Sequence, residues 1–493
     1  MRYMLTLVGL GLMLVLTGCF AKIQQLPTHS DKNAPVFAPL PDRDILVGLA
    51  VSGGGSRAAT FAAGALEALA DIRITWEGQE HSALEMVTHM SSVSGGSLAT
   101  AYYAAKKPPQ SVQALGQQGL SPIYQHFFSD FKTAMQMDFE WRAVIRQLLF
   151  FRALNPTKFA YSFSEVWDSN FFDEMTFSQL YEREKRGDAP QVILNGTIYN
   201  TGRRLVLTTL PPSDFSYEFA NELRKKLIAK GAQFTPEGRA SFDRSLSRAK
   251  NQLIPQTFED LSADHRALPI SLAVATSASF PPIVGPVTYH VENSKIHETY
   301  THVGDGGLFD NLGTESLTTV FLNKLNPRQS TEKKGLIIVI DASYPFDERD
   351  TDLGKKDKEP TDLDKNDKGF EVFIDDPSRI VGIMEERANA YQAMLWHSLR
   401  TESTVLPDYK HLKFIILRHT EAEWTGYQDL PEVCRNEFSA DVTPEQIQQK
   451  VKQIPTLFRI KSPCHGALLI KAAHKVVEKH RDRIVNFLEG PRS

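Results

Sequence analysis

Apolar residues gather along this chain in short unbroken runs rather than in strict alternation. Ile45 to Val51, Met86 to Val93, Gln191 to Thr197, Leu205 to Thr209 and Gly335 to Asp341 read as strands with too little polar content to face water on one side. The first two lead into small-residue stretches of helical character. That order predicts an α/β fold in which a largely parallel sheet is covered by helices. Nearer the C-terminus, Ile380 to Leu399 and Leu468 to Leu488 read as helices around a strand at Lys413 to Leu417.

Three segments depart from this pattern. Between Ile123 and Leu154 lies an aromatic-rich insertion in which Trp141, Val144, Ile145, Leu148 and Leu149 recur at helical spacing. The spacing predicts a face packed on the core; the alternative is a lid or membrane-docking helix, with Phe150 and Phe151 extending its apolar surface. Asp347 to Lys368 is a dense mixed-charge run that reads as a solvated, mobile loop. Ala21 to Asp44 is polar and carries Pro27, Pro35, Pro39 and Pro41, which predicts a flexible tether reaching about 25 to 30 Å.

The chain begins with Arg2 and an apolar run from Met4 to Leu16, shorter than the roughly 20 residues that span a bilayer. The run ends in Leu16-Thr17-Gly18-Cys19 and resembles a bacterial lipoprotein signal; an ordinary secretory signal with a chance cysteine is the alternative. The resemblance implies cleavage before Cys19, lipidation of that residue, and an outer-membrane destination, since Phe20 stands where an aspartate would signal inner-membrane retention. The net charge of −4 over 493 residues carries no nucleic-acid signature and offers no general attraction to anionic membranes. A lipid on Cys19 would therefore supply the targeting. The remaining cysteines, Cys434 and Cys464, either pair in an oxidising compartment, for about 3 to 4 kcal/mol of stabilisation, or stay as buried thiols.

Two glycine-rich strings follow the first two strand-like runs. Val51-Ser52-Gly53-Gly54-Gly55-Ser56-Arg57-Ala58 opens one helix, and Ser91-Ser92-Val93-Ser94-Gly95-Gly96-Ser97 opens the next. A serine on a tight strand-to-helix turn holds its hydroxyl in the open above the positive end of the helix dipole, and Ser94 fits that place. Such a turn needs small residues two places to either side. Ser92 and Gly96 give SxSxG where GxSxG is usual, a mild departure. The backbone N–H groups of Gly53, Gly54 and Gly55 at a helix start can hold an oxyanion. Gly304-Asp305-Gly306-Gly307 supplies a carboxylate between glycines, which makes Asp305 the candidate general base for Ser94 with no histidine required.

Competing patterns are weaker. Gly53 to Ala58 also satisfies the dinucleotide string GxGxxA, but Glu77 and Glu80 sit in a polar stretch where that reading needs a second strand. A phosphate-cradling P-loop lacks its Gly-Lys-Ser or Gly-Lys-Thr. A Ser-Asp-His triad would draw on His397, His411, His419, His465, His474 or His480; none lies in a glycine-rich loop, and His474 and His480 read as solvent-facing helix residues. His297 and His302 are five apart and so off one helical face, while the string from Asp362 has Asp367 and Phe373 where a calcium loop needs glycine and glutamate. No metal and no cofactor is expected.

The ordered set of Gly-Gly-Gly-Ser-Arg, a serine elbow and Asp-Gly-Gly resembles the patatin-like phospholipase family, and the first string is also similar to cytosolic phospholipase A2. Ala275-Thr276-Ser277-Ala278-Ser279-Phe280-Pro281-Pro282 and Asn195-Gly196-Thr197 resemble further family segments, so the likeness runs from about Ile45 to Ser343. It implies a three-layer patatin-like sandwich, a Ser94 nucleophile, an Asp305 base, an oxyanion loop at Gly53 to Gly55, and Arg57 supporting that loop or meeting a lipid phosphate. Pairing of Arg57 with a surface carboxylate is the plainer alternative. The expected division is a signal over 1–18, a lipidated tether over 19–44, a catalytic domain over 45–345 with its insertion at about 121–160, a charged loop over 346–369, and a C-terminal extension over 370–493 of no assigned role. The implied activity is hydrolysis of membrane phospholipid or lysophospholipid acyl esters. A lipid-binding or scaffolding lipoprotein that has lost catalysis is the alternative.

Overall fold

A computed structural model describes residues 22–31, 34–149, 152, 155, 157–217, 235–281, 284–291, 300–325, 333–343 and 411–490. Its strands are β1 (Ile23–Leu26), β2 (Ile45–Val51), β3 (Arg73–Trp76), β4 (Gln79–Ser82), β5 (His89–Ser92), β6 (Gln191–Ile198), β7 (Arg203–Thr208), β8 (Gln256–Thr257), β9 (Val287–Val291), β10 (Tyr300–Asp305), β11 (Lys334–Asp341) and β12 (Leu412–Arg418). Its helices are α1 (Gly55–Ala70), α2 (Gly95–Lys106), α3 (Pro122–Met135), α4 (Phe139–Leu149), α5 (Thr157–Trp167), α6 (Phe177–Lys185), α7 (Pro236–Leu253), α8 (Ile270–Ser277), α9 (Thr314–Lys324), α10 (Pro444–Lys452) and α11 (Pro463–Glu489). Cys19, Phe150, Phe151, Pro282, His297, the charged run from Asp347 and the expected helix Ile380 to Leu399 lie outside the described residues.

The apolar runs become the centre of one mixed sheet in the order β1-β9-β10-β6-β5-β2-β11-β12. From β6 to β12 neighbouring strands are parallel. Around β10 they are antiparallel. Every residue of β2 is buried, because Ile45, Val47, Leu49 and Val51 face a core shared with α1, α2, α8 and α11, while Leu46 and Ala50 face α9 on the other side. The result is the expected α/β architecture of a largely parallel sheet between helical layers.

Several boundaries differ from expectation. The tether predicted over residues 19–44 is built into the fold from Ile23: β1 pairs with β9 in parallel register, and Leu26, Val36 and Phe37 are buried. A few apolar side chains on an edge strand outweigh the proline content, since Pro27 follows the ladder rather than interrupting it. Met86 closes a 3₁₀ turn, so β5 begins only at His89. The C-terminal extension is equally integral. β12 pairs with β11 along its whole length, and α11 crosses α1 so closely that a Cβ on Gly64 would lie 3.0 Å from the Ala473 Cβ.

The insertion turns the other way from the packing expectation. α4 buries Phe139, Ala143 and Gln147, one residue per turn, with the Phe139 ring against Trp167 and Phe171. Ser162 of α5 donates to Gln147 Oε1 at 2.8 Å. With that face taken, Trp141, Ile145, Leu148 and Leu149 point outward.

Candidate active site

Strand β6 has two edges, and their use brings the site together. β7 occupies one edge over Ile193 to Ile198. The other is shared end to end: β5 pairs in parallel with Gln191 to Leu194, and β10 pairs antiparallel with Gly196 to Ile198. Ser92 sits opposite Leu194 and Asp305 opposite Gly196, so the C-terminal ends of β5 and β10 run toward each other. Residues more than 200 apart in sequence, Ser94 and Asp305, leave those two strand ends.

Ser94 occupies the turn between β5 and α2 at φ 52°, ψ −124°, a conformation a non-glycine residue adopts only when its surroundings enforce it. Gly96 allows the turn to close, for a Cβ there would lie 2.4 Å from the Ser52 carbonyl oxygen. The Ser94 N–H donates to both the carbonyl and the hydroxyl of Ser277, each at 3.2 Å. The Ser277 hydroxyl in turn donates to the Asn195 carbonyl at 2.6 Å. Ser97 Oγ lies 2.9 Å from Ser277 Oγ and 3.2 Å from Ser92 Oγ, so the serine that departs from GxSxG joins a buried hydroxyl network. Asn195 completes it, donating from Nδ2 to Ser91 Oγ and the Ser92 carbonyl, both at 2.9 Å.

Asp305 is held on three sides. Its N–H donates to Ser279 O at 3.0 Å, its carbonyl accepts from Thr197 Oγ1 at 2.8 Å, and its Oδ1 accepts from the Gly307 N–H at 2.8 Å. Oδ2 is buried and lacks a closed hydrogen bond, although the Ser94 hydroxyl stands near enough to favour its ionised form. Burial dominates and pushes the carboxyl up to about 7, against the opposing pull of Gly307 and Ser94. A carboxyl poised there can take a proton from Ser94 and return it near neutral pH.

The glycine loop lies beside Ser94, with the ideal Cβ position of Gly53 3.4 Å from the Ser94 Cβ. The Gly53 N–H, however, donates to Asn311 O at 2.8 Å. This corrects the expectation of three oxyanion donors, since that N–H is committed to the loop after Asp305. The Gly54 and Gly55 N–H groups lie at the helix start, where such groups have no intrahelical acceptor. Gly54 takes φ 138°, which a side chain would strain.

The loop is clamped from behind by the C-terminal region. The Ser56 N–H donates to Leu457 O at 2.7 Å. The fully buried Arg57 donates from Nε to Ala342 O at 2.9 Å and from Nη1 to Ile454 O at 2.8 Å. Its guanidinium ties the loop to the segment after β11 and the segment before α11. Beyond that segment the Cys434 and Cys464 sulfurs are bonded, with Cα atoms 4.7 Å apart.

The sequence by itself assigns no role to Ser277, Ser97, Asn195 or Asn311. Ser277 and Asn195 fall within strings that resemble family segments, so a signal was present; nothing local marks Asn311. Among the described residues, no histidine is hydrogen-bonded to Ser94 or Asp305. His419 is buried with Nδ1 3.3 Å from Asp341 O, and His474 reaches Glu67 at 2.8 Å. Glu77 and Glu80 belong to the separate β3–β4 hairpin, which removes the second strand a dinucleotide fold requires.

Comparison with solved structures finds human GIVD cytosolic phospholipase A2 in complex with methyl gamma-linolenyl fluorophosphonate and terbium chloride, at 13% identity and a TM-score of 0.40, covering 91% of this chain and 60% of that one. A second structure of human GIVD cytosolic phospholipase A2 gives 13% and 0.39, covering 92% and 63%. VipD from Legionella pneumophila gives 12% and 0.30, covering 94% and 71%. The chain thus spans about three fifths of the length of the human phospholipase chains. No curated protein sequence matches. The model of the patatin-like phospholipase family matches residues 49–318, a stretch that carries the glycine loop, the elbow and Asp305, and the chain belongs to that family.

Proposed function

We propose that this protein is a membrane-anchored serine acylhydrolase that cleaves acyl esters of phospholipids or lysophospholipids with a Ser94–Asp305 dyad. Family membership supports lipid acyl hydrolase chemistry. The single observation that carries the finer reading is the head-on approach of β5 and β10 along one edge of β6. In this reading Ser94 Oγ attacks the ester carbonyl carbon as its proton passes to Asp305. The Gly54 and Gly55 N–H groups hold the oxyanion, and collapse of the intermediate breaks the ester bond while Asp305 protonates the departing alcohol. Water then attacks the acyl-enzyme as its proton passes to Asp305, and collapse of this second intermediate breaks the bond to Ser94 Oγ, which takes that proton back from Asp305 as the fatty acid leaves.

A lipid on Cys19 holds the enzyme on the bacterial outer membrane in this proposal, as several acyl chains anchor far better than one. The test is fatty-acid release from defined phospholipids, lysophospholipids and short-chain esters by the wild type and Ser94→Ala. Release that disappears in the variant is expected; equal release by both refutes the dyad. A Ser94-dependent adduct with a fluorophosphonate separates the enzyme from a lipid-binding protein that has lost catalysis.

A further inference from the structure

The outward face of α4 is apolar where a soluble surface is polar. Trp141, Ile145, Leu148 and Leu149 are 61%, 37%, 59% and 68% exposed, and their i, i+4, i+7, i+8 spacing makes one continuous stripe. Single exposed apolar residues are ordinary, but a stripe of four on one helix marks a surface that something covers.

Two neighbours say what covers it. Arg146 of α4 pairs with Glu165 of α5 at 3.7 Å. One turn earlier on α5, the Lys22 ammonium stands 4.1 Å from the Tyr161 ring centre, and Tyr161 OH donates to Lys22 O at 3.5 Å. Cys19 precedes Lys22 by three residues, a reach of at most about 11 Å. An acyl anchor on Cys19 would therefore enter its membrane beside α4.

At its other end α4 meets the support of the glycine loop. The Phe139 N–H donates to Phe458 O at 3.0 Å, and the Phe458 N–H donates to Glu140 Oε1 at 2.8 Å. The preceding residue, Leu457, is the acceptor of the Ser56 N–H. α4 thus runs from the neighbourhood of Lys22 to the segment that supports the glycine loop.

We infer that the Trp141–Ile145–Leu148–Leu149 face of α4 inserts into the lipid surface and seats the active site on its substrate. Arg142 and Arg146 flank the stripe and suit the phosphate level of the bilayer, with the tryptophan at the interface. The inference rests on the anchored acylhydrolase reading.

The test uses the full chain bearing Leu148→Cys labelled with an environment-sensitive fluorophore, since Cys434 and Cys464 are bonded to each other and Cys19 would be acylated. Glu423→Cys, at a side chain 78% exposed, is the reference. On phosphatidylethanolamine and phosphatidylglycerol vesicles, label at 148 is expected to shift to the blue and to be quenched by brominated lipid at least fivefold more than label at 423. Water-like emission at both sites overturns the inference. A blue shift before vesicles are added also overturns it, because a protein then covers the face.

Ile145→Asp with Leu148→Asp is expected to lower hydrolysis of vesicle phospholipid at least tenfold and leave that of a soluble short-chain ester unchanged. Equal loss on both substrates, or on neither, overturns the inference. Mass spectrometry of the fragment bearing Cys19 reads the anchor separately. Absence of the acyl group, or of all esterase activity in the wild type, would refute the proposed function while the quenching ratio still decides the docking.

Discussion

Asn in place of Asp305 keeps the shape of a buried side chain and deletes its charge. Burial raises the native carboxyl from 3.8 to about 7, which at about 1.4 kcal/mol per pKa unit sets the cost of ionising it inside the fold at up to about 4 kcal/mol. The unfolded chain ionises near 3.8. Stability tied to the neutral form is therefore fully present below that pH, is lost as pH rises toward about 7, and changes no further above it. Asp305→Asn does not titrate, and its carbonyl oxygen can still accept from the Gly307 N–H. Relative to wild type the variant should gain up to about 4 kcal/mol across this window. Urea denaturation of both proteins at pH 4.5 and pH 8 measures the gain, with each difference taken at one pH so that other groups cancel. Hydrolysis by the variant should fall at least about 100-fold, the lower end of a general base's contribution. A stability difference that does not change with pH would refute the account of a carboxyl kept neutral by burial.

The same carboxyl should give kcat/KM an ascending limb centred at about pH 7, because the base must be ionised to act; a profile flat from pH 5 to 9 argues against Asp305. Ser277→Ala removes the hydroxyl that joins Ser94 N to the Asn195 carbonyl and should lower stability by about 1 to 2 kcal/mol. It should also reduce kcat about tenfold or more with KM little changed, as read by steady-state kinetics. Replacing Cys434 and Cys464 together by Ser opens a bridge with a sequence separation of 30 and should cost about 3 to 4 kcal/mol in denaturant unfolding. A loss of that size should also soften the clamp on the glycine loop, visible as faster hydrogen exchange at Ser56.

Much of this molecule is legible in its order of residues. β2, β6 and β11 are apolar runs that cannot face water, so their burial in a covered sheet follows from composition alone. The elbow and the Asp-Gly-Gly turn are legible for a related reason: a serine at positive φ and a carboxylate packed on backbone each demand small neighbours, and small neighbours leave a visible string. Other features needed the tertiary structure. The sequence contains Ser94 and Asp305 but not the shared edge of β6 that brings their strands head to head, because strand pairing is a choice among distant partners. Nor does the glycine string reveal that the Gly53 N–H is spent on Asn311, or that Ile454 and Leu457 hold the loop from some 400 residues away. The apolar stripe of α4 is the sharpest case. Helical periodicity identifies which residues share a face, but which face turns inward depends on what else is available to pack, and here Phe139, Ala143 and Gln147 have the better partners in α5 and Phe458.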